Sequence, residues 1–495
     1  MPGLKSLAKE TAVYGLSSII GRFLNWCLVP LYTYVFAAGQ YGIVSFLYSL
    51  TAVALVILNY GMETGFFRYA NKKECDAETV YTTSLTSVGA TSVLFMILLT
   101  VFIGPVSGLL ALPDHPEYVW LLGITVAIDA FSNLPFAYLR FKKKAYRFAG
   151  IKLLNVGVNI ALNLFFILAC PAIMKSCPGA ISWFYEPMGG ESFGIGWIFF
   201  ANLLSTLIVL AALLPELRGR RWRFDAPLLR KMLSYSWPLL ILGIAGIMSQ
   251  NMGQILMRYL FPGQEAAADV MTGIYSANMK IAIVMVMFTQ AFRYAYEPFI
   301  FSQARDDGEG KKQAYCDAMK YFVIFGLFIF LGVMFFLPLL RHFIAPGYWE
   351  GLDVVPVMML AELCFGVFFN LSLWYKLTDR TRWGMYLSLL CFVLMFGMNV
   401  AFVKSIGIPR GYMGAAYAAL GSYFIVMVVS WLLGHRYYPL NYPLGRMGIF
   451  LLLAGVLYAA GMWMADIYAM WLVYSLRVLM LIVYVGAVYM EMRRK

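Results

Sequence analysis

The chain reads as an all-α polytopic membrane protein of about fourteen transmembrane helices, and three observations predict that class. Charged residues make up 13% of its 495 residues, against about 25% in a soluble domain, while 62% are apolar. The apolar residues run continuously over stretches of about 20, where a transmembrane barrel would alternate over ~10-residue segments. Basic residues gather in every second connection between those stretches. A soluble chain of this length could not cover its surface with so few charges. Lipid is its solvent.

In chain order the spans are expected near 11–36, 41–63, 80–103, 117–139, 148–173, 194–215, 233–258, 271–297, 315–338, 353–376, 384–404, 412–433, 446–465 and 467–490. The first follows Lys5, Lys9 and Glu10 and shows no A-x-A cleavage signature. It reads as a retained helix rather than a signal peptide, with GLKSLAKETAVYG as an interfacial start. The connection AAGQ has no basic residue, and the next, RYANKKECDAE, has Arg68, Lys72 and Lys73. GPVSGLLALPDHPE has none, whereas RFKKKAYR carries Arg140, Lys142, Lys143, Lys144 and Arg147. Lys175 stands alone before span six, and ELRGRRWRFDAPLLRK follows it. Even-numbered connections and both termini, including EMRRK, are therefore expected in the cytoplasm. The net charge of +13 is a topology signal split among short segments, so no nucleic-acid partner is expected.

Motifs for covalent chemistry do not stand out: there is no H-E-x-x-H, no Walker sequence and no paired CxxC. His115, His342 and His435 lie far apart in connections. The long outer connection CPAIMKSCPGAISWFYEPMGGESF offers Trp183, Phe184 and Tyr185 as an interfacial belt, with Glu186 and Glu191 too few for a catalytic set. Cys27, Cys364 and Cys391 read as packing residues, while Cys170 and Cys177 are a candidate disulfide. No metal site, cofactor or enzyme activity is expected. Transport is what remains.

Charges at mid-membrane cost roughly 2.5–3.5 kcal/mol each on insertion scales, so each needs a reason. Arg293 and Glu297 of FTQAFRYAYEP lie roughly 13–20 Å past the middle of span eight, at headgroup depth, and read as anchors. Lys152, Lys320 and Lys376 are likewise near span ends. Arg22, Asp129, Lys280, Glu362 and Arg477 fall near the middle of spans one, four, eight, ten and fourteen. Two readings stay open for them: opposite signs pair between helices, or cations line an aqueous cavity that meets an anionic substrate. Arg donates bidentate bonds to phosphate and Lys adds a compact charge. Asn25 of span one and Ser249, Gln250, Asn251 and Gln254 of span seven add groups able to bind phosphate and sugar hydroxyls, or to hold helices together. Asn278 and Gln290 do the same in span eight. Pro30, Pro238 and the glycines of spans one and seven allow bends toward a cavity, or close packing.

The expected organisation is an N-lobe over 1–215, a cytoplasmic linker over 216–231, a C-lobe over 232–434, and an appendage over 435–495 with the last two helices and the tail. FRYA occurs at Phe67–Ala70 and at Phe292–Ala295, at matching places in the two halves. Parallel six-helix repeats fit transporters that alternate access by rocking two lobes.

Within this frame VPLYTYVFAAGQYGIVSFLYSL, Val29 to Leu50, resembles the first hairpin of polysaccharide-transporter flippases of the MOP superfamily. The shared pattern is Pro-Leu-x-Thr and then Tyr-Gly, here Pro30, Leu31, Thr33, Tyr41 and Gly42. AFRYAYEPFIFSQA is similar to that family's aromatic-and-proline close of the eighth helix. The chain departs at Tyr34, where many relatives have Arg, and at Phe36–Ala37, where they have Leu-Gly.

The resemblance implies translocation of a polyprenyl-pyrophosphate-linked oligosaccharide from the inner to the outer leaflet of the bacterial cytoplasmic membrane, for O-antigen, capsule or related polymers. On that reading Arg22 and Lys280 bind pyrophosphate, and Asn25, Gln250, Asn251 and Gln254 touch sugar. Asp129 and Glu362 would serve coupling to H⁺ or Na⁺. In the related lipid II flippases the two extra helices help form a groove for the lipid tail, which Arg477 would approach. The alternatives are a MATE-type small-molecule antiporter and a membrane enzyme acting on lipid-linked sugars.

Overall fold

The computed structural model describes residues 20–21, 23–218, 221–303, 310–378, 380, 382–464 and 470–493. Helix makes up 87% of the structure, and no strand occurs among the described residues. Thirteen helices are long and apolar enough to cross a membrane, and a shorter apolar helix, Phe23–Val35, lies where the first span is expected. The polytopic all-α class is therefore what the chain adopts.

Two compact units form, residues 1–251 and 252–495. The first contains α1 (Leu28–Val35), α2 (Ala38–Asn59), α3 (Ala77–Val101), α4 (Pro116–Phe141), α5 (Ala145–Leu164) and α6 (Gly196–Leu217). It also contains most of α7 (Ala226–Leu260). α2 ends where Tyr60 and Gly61 take left-handed backbone angles (φ 30° and 71°), and a short helix, Met62–Ala70, resumes after them. The Asp76 carboxylate caps α3, accepting from the Thr79 N–H at 3.1 Å and the Thr79 hydroxyl at 2.8 Å. That hydroxyl, first among several hydrogen bonds, holds the Asp76 carboxyl below the usual carboxylate range.

α4 is the most enclosed of the thirteen described spanning helices, packed against α2, α3 and α6. Its Tyr138 lies 4.4 Å from Tyr81 of α3, ring centre to ring centre, in a cluster with Phe66. The outer connection is not simply a belt. Trp183 is 76% exposed, as a belt residue should be, but Tyr185 is buried, stacked 5.0 Å from Trp197, which also stacks on Phe166 at 4.8 Å. Cys170 is buried and Cys177 exposed, and the seven cysteines are free thiols.

The second unit contains α8 (Glu265–Gln303), α9 (Gly310–Phe335), α10 (Val354–Leu371), α11 (Arg382–Ile406) and α12 (Gly411–Tyr437). α13 (Leu444–Trp463) and α14 (Met470–Arg493) follow. α12 packs on both α10 and α11. At Gly414 a Cβ would stand 2.6 Å from the backbone of Phe402 and Val403, so only glycine lets α11 and α12 approach this closely.

α13 and α14 dock on α9. The Tyr484 hydroxyl donates to the Ile324 carbonyl at 2.9 Å, and Lys320 pairs with Glu491 at 3.1 Å and Asp317 at 3.4 Å. Arg446 reaches the same Glu491 at 2.6 Å. Lys320, expected as a snorkelling anchor, is instead buried within this cluster. At the other end of α9 sits Arg477, 2% exposed. Its Nε and Nη2 donate to the Gly461 carbonyl (3.2 and 2.9 Å), and its Nη1 donates to the Phe335 carbonyl (2.8 Å). One guanidinium thus satisfies carbonyls at the C-terminal ends of α9 and α13, where the helix dipole favours a cation.

Candidate functional site

In unit one the functional geometry grows from α5. Lys152, Asn155, Asn159 and Asn163 follow one another at three, four and four residues, which puts them on one helix face. An adjoining stripe of Gly150, Leu154, Gly157, Ala161 and Leu164 is exposed and apolar, as a lipid-facing surface should be. The polar face looks onto α1, α4 and α6, and through α6 the polar groups reach α2.

A continuous set of hydrogen bonds runs across these helices. The Tyr32 hydroxyl donates to Asn163 Oδ1 at 3.0 Å, and Asn163 Nδ2 donates to Asn159 Oδ1 at 2.5 Å. Asn159 Nδ2 donates to Asn202 Oδ1, and Asn202 Nδ2 to the Tyr48 hydroxyl, each at 3.4 Å. One turn beyond Asn202, Thr206 donates to Asp129 Oδ1 at 3.3 Å. Lys152 attracts Asp129 electrostatically and places its ammonium 4.1 Å from the centre of the Phe136 ring.

Asn163 is fully buried, but Tyr32, Tyr48, Asp129, Lys152, Asn159 and Asn202 are half-buried. Asn155, also half-buried, has no hydrogen-bond partner among the described residues. These amides and phenols satisfy one another only in part, since each keeps hydrogen-bonding capacity that hydrocarbon could not meet, which suits the seam to water or a polar ligand. Both donors and acceptors are present, mostly on neutral groups. That is the complement of a sugar's hydroxyls.

Of the residues singled out from sequence, Asp129 belongs to this seam. Arg22 lies outside the described residues, and Asn25 is exposed. Gln250 is exposed, while Asn251 turns back to the Ile247 carbonyl at 2.8 Å. Gln254 donates to Ser276 Oγ at 3.1 Å, binding α7 to α8 as interhelical glue. Lys280 is half-buried on α8. Glu362 is half-buried on α10 with the phenols of Tyr275 and Tyr423 within electrostatic reach, and it has no ion pair or hydrogen bond among the described residues.

Arg477 is spent on backbone carbonyls. An apolar cavity of about 390 Å³ does lie beside α13, lined by Met319, Val323, Cys364, Met427, Tyr442 and Met447, and Arg477 takes no part in it. The amides of α5 went unread in the sequence although their signal is there: K-x2-N-x3-N-x3-N in an otherwise apolar span. No group of three or more His, Cys, Asp or Glu able to hold a metal ion occurs among the described residues.

Comparison with known proteins bears on this geometry. Residues 7–303 match the family described as polysaccharide biosynthesis protein. The fold is similar to that of the lipid II flippase MurJ in an inward closed conformation, with TM-score 0.70 at 11% identity over 98% of this chain and 99% of that one. It is also similar to an inward-facing multidrug resistance MATE family transporter of the MOP superfamily, with TM-score 0.62 at 16% identity over 89% and 95% of the two chains. No match was found among curated protein sequences. At such identities the structural likenesses establish the fold alone. The family match spans more than half of the sequence, and with it the chain belongs to the polysaccharide biosynthesis protein family, as a multi-pass membrane protein whose fold is like that of MOP-superfamily transporters.

Proposed function

We propose that the protein moves a polyprenyl-pyrophosphate-linked oligosaccharide from the inner to the outer leaflet of the bacterial cytoplasmic membrane by alternating access, for a polymer of the O-antigen or capsule kind. The observation that carries this reading is the half-buried amide-and-phenol seam of unit one. In a membrane-spanning bundle such groups need polar company, and a saccharide supplies it. On this reading Arg22 and Lys280 hold pyrophosphate and Asn25, Gln250, Asn251 and Gln254 touch sugar, Gln254 by exchanging its bond to Ser276; within unit one, Asn155, Asn159 and Asn202 of the seam also touch sugar. The polyprenyl tail stays in lipid, with the apolar cavity beside α13 as its place against the protein. Asp129 and Glu362 take up the coupling ion, H⁺ or Na⁺. Both termini face the cytoplasm, following the distribution of Lys and Arg. Outward movement of negative charge is favoured by an inside-negative potential, by about 2.3 kcal/mol per charge per 100 mV.

The test is translocation of a fluorescent polyprenyl-pyrophosphate oligosaccharide in proteoliposomes, comparing wild type with Arg22→Gln, Lys280→Gln and Asn159→Leu at matched folding. The reading expects an active wild type and loss in all three. An active wild type with undiminished Arg22→Gln and Lys280→Gln would remove the cationic site. A second reading, a MATE-type antiporter, is favoured by one observation, the Glu362 carboxylate without an ion pair among the described residues. Uptake of an organic cation that vanishes in Glu362→Gln would replace the first reading with it.

A further inference from the structure

In unit one, the turn joining the short helix Met62–Ala70 to α3 and the stretch leading into α7 enclose a cavity of about 770 Å³. Lys72, Glu74 and Asp76 line it from the turn, and Arg223, Asp225 and Lys231 from the stretch and the first two turns of α7. The second wall is held in place by buried groups. The Arg223 carbonyl accepts from the hydroxyls of Thr82 at 2.8 Å and Thr83 at 3.4 Å, and the Thr83 hydroxyl accepts from the Asp225 N–H at 3.1 Å. Both threonines are fully buried. Asp225 Oδ1 then accepts from the Leu228 N–H at 2.9 Å and caps α7.

Charges of both signs line this cavity without closing on one another. None of the six is in a salt bridge among the described residues. Asp76 and Asp225 commit their carboxylates to helix N-termini, and Arg223 attracts Asp76 without reaching it. The Lys72 ammonium rests 4.7 Å from the centre of the Tyr69 ring. Lys72, Glu74, Arg223 and Lys231 are all exposed and keep their hydrogen-bonding capacity. Three cations and one carboxylate held apart around a void suit a ligand that carries an anion and a cation close together. Phosphate oxygens take guanidinium and ammonium donors, and a carboxylate accepts from a primary ammonium.

The cavity lies at headgroup depth, at the ends of three membrane-spanning helices, Ala38–Ala70, Ala77–Val101 and Ala226–Leu260. The 25 residues of α3 extend roughly 37 Å, past a hydrocarbon core of about 30 Å and into the headgroup layers. On the pinned segment Trp222 and Phe224 are 56% and 55% exposed, as aromatic side chains at a bilayer interface are.

We infer that this cavity binds the headgroup of a zwitterionic phospholipid of the phosphoethanolamine kind, with the phosphodiester at Lys72, Arg223 and Lys231 and the ammonium at Glu74. The inference rests on the membrane-spanning fold and is independent of the flippase reading. A bound headgroup ties the turn before α3 to the segment that leads into α7.

The experiment is native mass spectrometry of the full-length protein with phosphatidylethanolamine and phosphatidylglycerol of the same acyl chains, offered singly, and with soluble glycerophosphoethanolamine. Wild type should hold phosphatidylethanolamine about tenfold more strongly than phosphatidylglycerol. Lys72→Gln and Arg223→Gln should each weaken it about tenfold, while Lys73→Gln, next in sequence but outside the lining, should not. Glu74→Gln removes the ammonium's partner and leaves the cations in excess, so the preference should pass to phosphatidylglycerol. All four changes fall on exposed residues, and an unchanged melting temperature checks that each variant is folded. A wild type that holds both lipids equally, or phosphatidylglycerol more strongly, overturns the zwitterion assignment. Lining variants indistinguishable from wild type overturn the site. The soluble headgroup bound as tightly as the lipid would make the ligand a free phosphoamine and overturn the lipid assignment.

Discussion

Replacing Arg477 by methionine keeps length and apolar bulk but removes every donor. Two carbonyls, Gly461 near the end of α13 and Phe335 at the end of α9, then lose the three hydrogen bonds that now satisfy them. An orphaned buried acceptor costs about 1–3 kcal/mol, giving about 2–6 for the pair. Part of this is returned, because a guanidinium no longer has to be taken out of water. The net expectation is about 3 kcal/mol, and at about 2–4 °C per kcal/mol for a unit of this size, a melting point lower by roughly 6–12 °C. Thermal unfolding of purified protein in detergent measures the shift. Hydrogen exchange locates it, with faster exchange expected in α14 and the last turn of α13. Arg477→Lys retains the charge but not the fork and should fall between methionine and wild type. Buried Lys320 and Glu491, with exposed Arg446 on the same carboxylate at the far end of α9, would still hold the hairpin, so the loss is local unfastening rather than failure to fold. Methionine and wild-type proteins that melt and exchange alike would refute the staple.

Asn163→Leu, in the buried heart of the unit-one seam, should lower stability by about 1–3 kcal/mol, because Tyr32 and Asn159 lose their partner; a denaturation series checks this. Gly414→Ala should cost about 1–3 kcal/mol by the same measurement, since the new methyl meets backbone rather than a movable side chain. Asp76→Ala removes the α3 cap, worth about 1 kcal/mol. The Asp76 carboxyl is held low in the folded protein, so its contribution is full above the ordinary carboxylate range and lost as pH falls through the depressed folded value. Wild type and Asp76→Ala should therefore converge in melting temperature on acidification, and parallel curves would exclude the cap.

The class was legible in the sequence because lipid forces each crossing to be a long apolar helix, whatever its neighbours do; of the fourteen expected spans, thirteen are met by full-length helices among the described residues and the first by the shorter Phe23–Val35. Partners were not, because they depend on which helix faces which. Lys320 and Arg477 look alike in a hydropathy profile; one is neutralised by Glu491 from far along the chain, and the other caps two helix ends. Gln254 and Asn159 are equally polar, yet Gln254 closes on Ser276 while Asn159 joins a seam that reaches a half-open surface. The α5 stripe was readable from its three-and-four spacing, but single mid-span charges draw the eye before neutral amides do. Arg293 shows the same limit. Its depth marks an anchor, and only the packing of α8 on α10 shows that it shares the Phe369 ring with Lys376.

Flippase and cation exporter differ most sharply in what their carboxylates must do. An exporter of organic cations needs an acidic group available to the substrate. In unit one Asp129 accepts from Thr206 and is attracted by Lys152, so a cationic drug there would have to displace a resident charge. The remaining seam is neutral and fits hydroxyls better than ammonium groups. In unit two Glu362 stands between phenols, and protonation or a small cation suffices to neutralise it. If the substrate is anionic, Glu362→Gln should leave binding of a pyrophosphate lipid intact and change only how translocation responds to a pH or Na⁺ gradient. A cation substrate makes the opposite demand, with binding itself lost on the same substitution.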